Sequence, residues 1–118
     1  NIITNDIINE FTRRGNVEIS SKKTAEAVLS GVIQSAKAAS VSNRSAYTTA
    51  EREVTVRVDL KMTDSTGNVI WSANGIEAAE DYIVLSEKIR TEQNKKSAIA
   101  QLSQRLAQRI YYRLTDRF

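Results

Sequence analysis

Hydrophobic and polar residues alternate one by one over residues 54–62 of this 118-residue chain. A period of two is typical of a β-strand that packs on one face only. Residues 64–67 (Asp-Ser-Thr-Gly) supply turn residues, and hydrophobic residues resume in Val-Ile-Trp at 69–71. The pattern therefore predicts a β-hairpin with strands at about residues 50–63 and 69–79.

The C-terminal part of the chain has a different period. From about residue 92 to 115, hydrophobic residues recur every four positions, at Leu102, Leu106, Ile110 and Leu114. This spacing predicts a long α-helix with an apolar face wide enough to cover a sheet. A row of arginines runs directly beside that face, at Arg105, Arg109, Arg113 and Arg117.

The pattern before the hairpin is less regular. Residues 1–14 predict a helix with Ile3, Ile7, Ile8 and Phe11 on one face, followed by a C-cap at residues 15–16. Residues 17–20 predict a short strand, and residues 25–42 a longer extended segment. Its paired apolar residues indicate either two partly covered faces or a bulge near Gly31. A second bulge, and not a second hairpin, is expected at residues 74–75 (Asn-Gly).

These elements predict an α+β fold in one domain spanning residues 1–118. The economical arrangement has two layers, with a mostly antiparallel sheet and two helices packed on one face. Each helix has one apolar stripe and the sheet has one apolar face, so a single hydrophobic core can bury all three surfaces.

Composition argues against catalysis and bound cofactors. The chain has no histidine and no cysteine, which removes imidazole catalysis, thiol nucleophiles and thiolate metal sites. The acidic residues are scattered, so no metal site is expected, and no phosphate-binding or dinucleotide fingerprint appears. The sequence therefore predicts a binding or assembly module and not an enzyme.

Charge is unevenly distributed along the chain. Residues 51–85 carry three basic and seven acidic residues, whereas residues 86–118 carry eight basic and three acidic. Such asymmetry indicates an anionic partner for one surface, although a solvated helix face is the simpler explanation.

Several segments together resemble the LPS-assembly lipoprotein family, LptE. The first is Ala-Glu-Ala-Val-Leu-Ser-Gly at residues 25–31. A long strand of alternating valine and charge follows at residues 52–71, with Asp-x-x-Gly and Val-Ile-Trp. Tyr82 then precedes a helix of the type Ala-x-x-x-Leu-x-x-x-Leu-Ala-x-x-Ile-x-x-x-Leu at residues 98–114, and Phe118 closes the chain. The order and spacing carry the resemblance, because each motif alone is common.

The resemblance implies an outer-membrane lipoprotein on the periplasmic side of a Gram-negative bacterium. Such a protein plugs and helps to assemble a large β-barrel, LptD, and contacts lipopolysaccharide (LPS) during its delivery to the outer leaflet. The sequence lacks the lipid-carrying cysteine and the strand expected before the first helix. Both differences are expected if the sequence is a piece of a longer, lipid-anchored chain.

Basic residues are the candidates for contact with LPS or a protein partner, because LPS presents phosphates and carboxylates. Arg57 and Lys61 are expected on the exposed side of their strand, and a basic cluster is expected just before the long helix. The candidates are Arg52, Arg57, Lys61, Lys88, Arg90, Lys95, Lys96, Arg105, Arg109 and Arg113. The alternative for the arginine row is a role in solubility, with its stems covering the margin of the apolar stripe. For the basic cluster at residues 88–96, a solvated mobile loop is the simpler explanation, and phosphate binding near a helix N-terminus is the other one.

A nucleic-acid module is the alternative function. A helix, strands and a basic last helix resemble the double-stranded-RNA-binding domain, and Lys-Lys-Ser-Ala at residues 95–98 resembles the start of that domain's second helix. The sequence lacks the proline and histidine of that family's loop contacts, and its strands are too long. A nucleic-acid partner is therefore not expected.

Overall fold

A computed structural model of the chain describes residues 2–14, 26–41 and 50–116. Its elements are α1 (Ile2–Arg14), β1 (Ala27–Ser40), β2 (Glu51–Asp64), β3 (Val69–Ile83) and α2 (Lys88–Thr115). The three strands form an antiparallel sheet in the order β1-β2-β3. Helix α2 packs on β3 and β2, and α1 packs on α2. The predicted α+β fold is confirmed.

The core lies between β2, β3 and α2. Val54, Val56 and Val58 of β2 are buried because their side chains all point to the helix side of the sheet. Leu106 and Ile110 of α2 pack into the same cluster and are fully buried. The whole body is long and narrow, at 58 × 22 × 20 Å.

The predicted hairpin is present, and its turn is held by one aspartate. The Asp64 carboxylate accepts hydrogen bonds from the Thr66 N–H at 2.9 Å and the Asn68 N–H at 3.0 Å. The hydroxyl and N–H of Thr66, together with the N–H of Asn68, lower the pKa of Asp64. Gly67 completes the turn with a φ of 91°, a conformation that glycine adopts at low cost.

The expected bulge at Asn74 and Gly75 is also present. These two residues lie opposite Asp59 alone, so β3 continues past them as one strand. Gly75 has a φ of 72°, and its N–H donates to the Asp59 carboxylate at 2.8 Å. The strand ends at Ile83, four residues beyond the predicted position 79, because residues 79–83 continue the ladder with β2.

A bulge is present near Gly31, as expected, and lies three residues further along β1. Gly31 pairs regularly with Leu60, and the register shifts between Ile33 and Ser35, which leaves Gln34 as the extra residue. The glycine at 31 has a packing reason instead. A Cβ there would lie 2.9 Å from the Leu60 Cδ2 atom, so any side chain would displace Leu60.

Helix α2 begins at Lys88 and not at about residue 92. Two helix side chains tie the preceding connection to the first turns. The Thr91 hydroxyl accepts a hydrogen bond from the Leu85 N–H at 2.8 Å, and the Asn94 amide donates to the Ile83 carbonyl at 3.0 Å. The predicted basic cluster therefore lies within the helix. The predicted C-cap at 15–16 and strand at 17–20 lie outside the described residues.

Arg14 and an edge-to-face contact between Phe11 and Tyr111, with ring centroids 5.0 Å apart, join α1 to α2. Glu10 is buried and accepts hydrogen bonds from Arg13 at 2.8 Å and Arg14 at 2.7 Å. Burial of Glu10 favours its neutral form, but the bonds from Arg14 and Arg13 outweigh this and lower its pKa. Arg14 also donates to the Tyr112 hydroxyl at 2.9 Å, which attaches the end of α1 to α2.

Ser103 on α2 gives the first testable prediction. Its hydroxyl is fully buried and has no hydrogen-bond partner among the described atoms. Such a hydroxyl costs about 1–3 kcal/mol, so Ser103→Ala is expected to raise the free energy of unfolding by about 1 kcal/mol in urea titrations. The matched control is Ser97→Ala on the exposed side of α2, which changes only the helix propensity. Equal effects of the two substitutions would contradict a burial cost at Ser103.

Candidate interaction surfaces

The fold separates the predicted contact residues into three groups. The tip group lies at the end of the body where β2 begins and α2 starts, and comprises Arg52, Lys88, Arg90, Lys95 and Lys96. The outer-face pair, Arg57 and Lys61, lies on the sheet face opposite the helices. The edge arginines Arg105, Arg109 and Arg113 lie on α2 beside β3.

The strand register brings the tip group together. Arg52 pairs with Tyr82 near the end of β3, and α2 starts five residues after β3 ends. Lys88 and Lys95 are two helical turns apart, so they share a side of the helix. The first turn of α2 holds no acidic residue, and Glu87 makes no side-chain capping bond. Cations near a helix N-terminus destabilise the helix, because the helix dipole is positive there. The presence of Lys88 and Arg90 at this position therefore favours a role in binding an anion.

Three exposed aliphatic side chains accompany these cations. Ile89 is 74% exposed, Ile83 is 45% exposed and Leu85 is 37% exposed. The tip therefore combines positive charge with apolar surface, the composition that suits an amphiphilic ligand. None of these three residues was predicted from the sequence. Ile89 could have been, because it is a large aliphatic residue that lies outside the four-residue apolar stripe facing the sheet and is therefore expected to be exposed.

The outer-face pair has a more polar setting. Arg57 lies opposite Glu77 on β3, and Lys61 lies opposite Ser72. The two cations are about 13 Å apart along β2, since a strand rises about 3.4 Å per residue, and Asp59 lies between them. Both side chains are exposed, as the prediction required.

Two of the edge arginines bond to this chain's own backbone. Arg105 donates to the Ala79 carbonyl at 2.9 Å and pairs with the Glu80 carboxylate. Arg109 donates to the Glu77 carbonyl. The Val84 N–H donates to the Ala50 carbonyl, so the backbone groups of residue 84 point toward β2. Successive residues of a strand direct their N–H and C=O groups to opposite sides, so the carbonyls of residues 77 and 79 point away from β2. The guanidinium groups thus cover part of the edge of β3 that faces away from β2.

The third edge arginine lies further along the helix. Arg113 lines a shallow groove with Arg109, Tyr112, Gly75 and Glu77. Tyr112 is 56% exposed. The groove is an open surface between the end of α2 and the Gly75 bulge.

Two further findings concern the described part of the chain as a whole. None of its helices combines the length and the apolar character that a membrane crossing requires. Residues 2–14, 26–41 and 50–116 also contain no cluster of acidic side chains suited to hold a metal ion.

The structure defines a small α+β protein with basic surfaces, and comparison with known proteins identifies its family. The LptE lipopolysaccharide-assembly family matches residues 1–114, and the chain belongs to that family. It is a non-enzymatic family with a role in LPS assembly. Membership favours our first interpretation over the RNA-binding alternative. A search among curated proteins found no significant match.

Solved structures show the same fold at low sequence identity. A Caulobacter crescentus CB15 protein described as a lipoprotein is 10% identical, with a TM-score of 0.66 over 92% of this chain and 74% of that one. A minor lipoprotein from Acinetobacter baumannii is 18% identical, with a TM-score of 0.63 over 93% of this chain and 78% of that one.

Proposed function

We propose that this chain occupies the lumen of an LptD-type outer-membrane β-barrel, assists the assembly of that barrel and binds LPS on its way to the outer leaflet. It acts by binding and not by catalysis. A lipid anchor upstream of residue 1 holds it on the periplasmic side of the outer membrane, and an additional strand precedes α1. The described residues form a single domain.

The tip supports LPS binding most directly. LPS joins phosphate groups to acyl chains, and a surface that binds both needs cations next to apolar side chains. Lys88 and Arg90 supply donors for charge-assisted hydrogen bonds, and Ile89 supplies apolar area. The outer-face pair presents charge with less apolar surface, so it is the secondary candidate for LPS.

The shape and the outer surface favour a place inside a barrel. The lumen of a membrane barrel is polar, and a body that fills it needs a polar exterior around its own core. The outer face of this sheet presents Arg57, Asp59, Lys61 and Glu77 to solvent or to a partner. A rod 22 Å by 20 Å in cross-section requires a wide barrel, since lumen diameter grows with strand number.

Co-expression tests this proposal. The chain with its cognate LptD-type barrel is expected to purify as a stable one-to-one complex, measured by light scattering after size-exclusion chromatography in detergent. A porin-type barrel of the same organism is the control and is expected to elute alone. Failure to recover any complex with the cognate barrel would count against the proposal.

A further inference from the structure

The two edges of the sheet differ in how they are protected. Arg105 and Arg109 bond to carbonyls on the edge of β3 that faces away from β2, as described above. Nothing within the described residues pairs with the outer edge of β1. An uncovered edge strand presents a row of backbone donors and acceptors that another strand can use. Within the part of the chain that the structure describes, the edge of β1 is therefore the place where this sheet can be extended.

The backbone of β1 is oriented for such pairing. The Val41 N–H donates to the Glu51 carbonyl at 3.0 Å, so the backbone groups of residue 41 point toward β2. This sets which residues of β1 direct their N–H and C=O groups toward β2 and which direct them away. With the Gln34 bulge taken into account, residues 29, 31 and 33 direct their N–H and C=O groups away from β2. Lys37 is the one charged residue of this strand, and Val32 is 61% exposed.

We propose that β1 pairs with β1 of a second copy of this chain, antiparallel and about a two-fold axis at Gly31. The register follows from the bulge. With Gln34 as the extra residue, Leu29 lies opposite the partner's Ile33 and Ser30 lies opposite the partner's Val32. Every such pair joins residues from the same sheet face, so the two three-stranded sheets become one continuous sheet.

Charge complementarity favours a second copy of this chain as the partner of the β1 edge. In the same register Glu26 lies opposite the partner's Lys37, and the symmetry produces this pair twice. Ile33, which is 46% exposed in one copy, gains the partner's Leu29 as an apolar neighbour across the axis. The inference goes beyond the proposed function, because it concerns the chain before a barrel encloses it.

Charge reversal tests the register. The chain is expected to sediment as a concentration-dependent dimer in analytical ultracentrifugation. Lys37→Glu places two like-charged pairs in the interface and is expected to weaken the dimer about tenfold. The double variant Glu26→Lys/Lys37→Glu restores both pairs and is expected to recover the original affinity. Asp81→Lys, a charge reversal on the exposed face of β3, is the matched control and is expected to leave the dimer affinity unchanged.

Cysteine cross-linking tests the geometry directly, because the chain has no cysteine of its own. Mixing a Ser30→Cys variant with a Val32→Cys variant is expected to give an interchain disulfide under mild oxidation. Ser72→Cys on the exposed face of β3 is expected to remain monomeric. A chain that is monomeric at every concentration would overturn the proposal, as would cross-linking that is equal at Ser72. The first result would arise if another segment or a barrel strand already covers β1. Neither result bears on LPS binding.

Discussion

Lys88→Glu together with Arg90→Glu is expected to lower the affinity for LPS by about ten- to a hundredfold. A hydrogen bond to a charged group contributes about 1.5–3 kcal/mol when shielded, and less on an exposed surface. Loss of two such bonds therefore gives about 1.4–2.8 kcal/mol, which corresponds to the stated range. Isothermal titration calorimetry with purified LPS would measure it.

The same double variant is expected to be slightly more stable than the parent chain. Its two cations lie in the first turn of α2, where the helix dipole disfavours positive charge. Glutamates at these positions are expected to add about 0.3–1 kcal/mol each to the free energy of unfolding. A loss of binding with a gain in stability cannot come from unfolding. A variant that loses stability and affinity together would not support a binding role.

The outer-face pair provides the comparison for the tip. Arg57→Glu with Lys61→Glu is expected to weaken LPS binding by a smaller factor, because the two cations are far apart and Asp59 lies between them. Lys37→Glu, which lies in neither group, is the control for net charge. If the outer-face variant loses more affinity than the tip variant, LPS binds on the sheet face and not at the tip.

Leu106→Ala is expected to give the largest loss of stability of the substitutions considered. Leu106 is fully buried between the sheet and α2, and truncation of such a leucine costs about 2–5 kcal/mol. Domains of this size are stable by about 5–15 kcal/mol, so the variant loses a large part of its stability. Urea titration followed by circular dichroism measures the change.

Ile89→Ala is the matched control, because it removes a branched aliphatic side chain that is 74% exposed. Its free energy of unfolding is expected to change by less than about 0.5 kcal/mol. Its affinity for LPS is expected to fall about tenfold. The three lost carbon groups would contribute about 2.4 kcal/mol if fully buried, and a side chain that LPS covers on one side contributes about half of that. Unchanged affinity would remove Ile89 from the binding surface.

The elements with strong local periodicity were predictable from the sequence. The alternation at residues 54–62 gave the hairpin, and the four-residue repeat from Leu102 to Leu114 gave α2. The Gly75 bulge was also predictable, because Asn-Gly favours positive φ wherever it occurs. In each case the information lies in neighbouring residues and needs no knowledge of distant contacts.

The features that depend on tertiary placement were not predictable. The bulge at Gln34 lies in a strand of small residues whose pattern does not distinguish one position from the next. The hydrogen bonds of Arg105 and Arg109 require that α2 lie over the edge of β3. The tip combines Arg52 with the start of α2, and only the strand register brings these distant segments to one end.

The length of the molecule has a consequence for how it could work. Its long axis measures 58 Å, and the tip and the β2–β3 turn lie at opposite ends of it. A lipid bilayer with its headgroups is about 40–45 Å thick. A rod standing upright in a barrel would therefore extend past both headgroup layers. In the proposed barrel, the tip would contact LPS on one side of the membrane while the β2–β3 turn lies on the other side. The protein would then reach both sides without moving along the barrel.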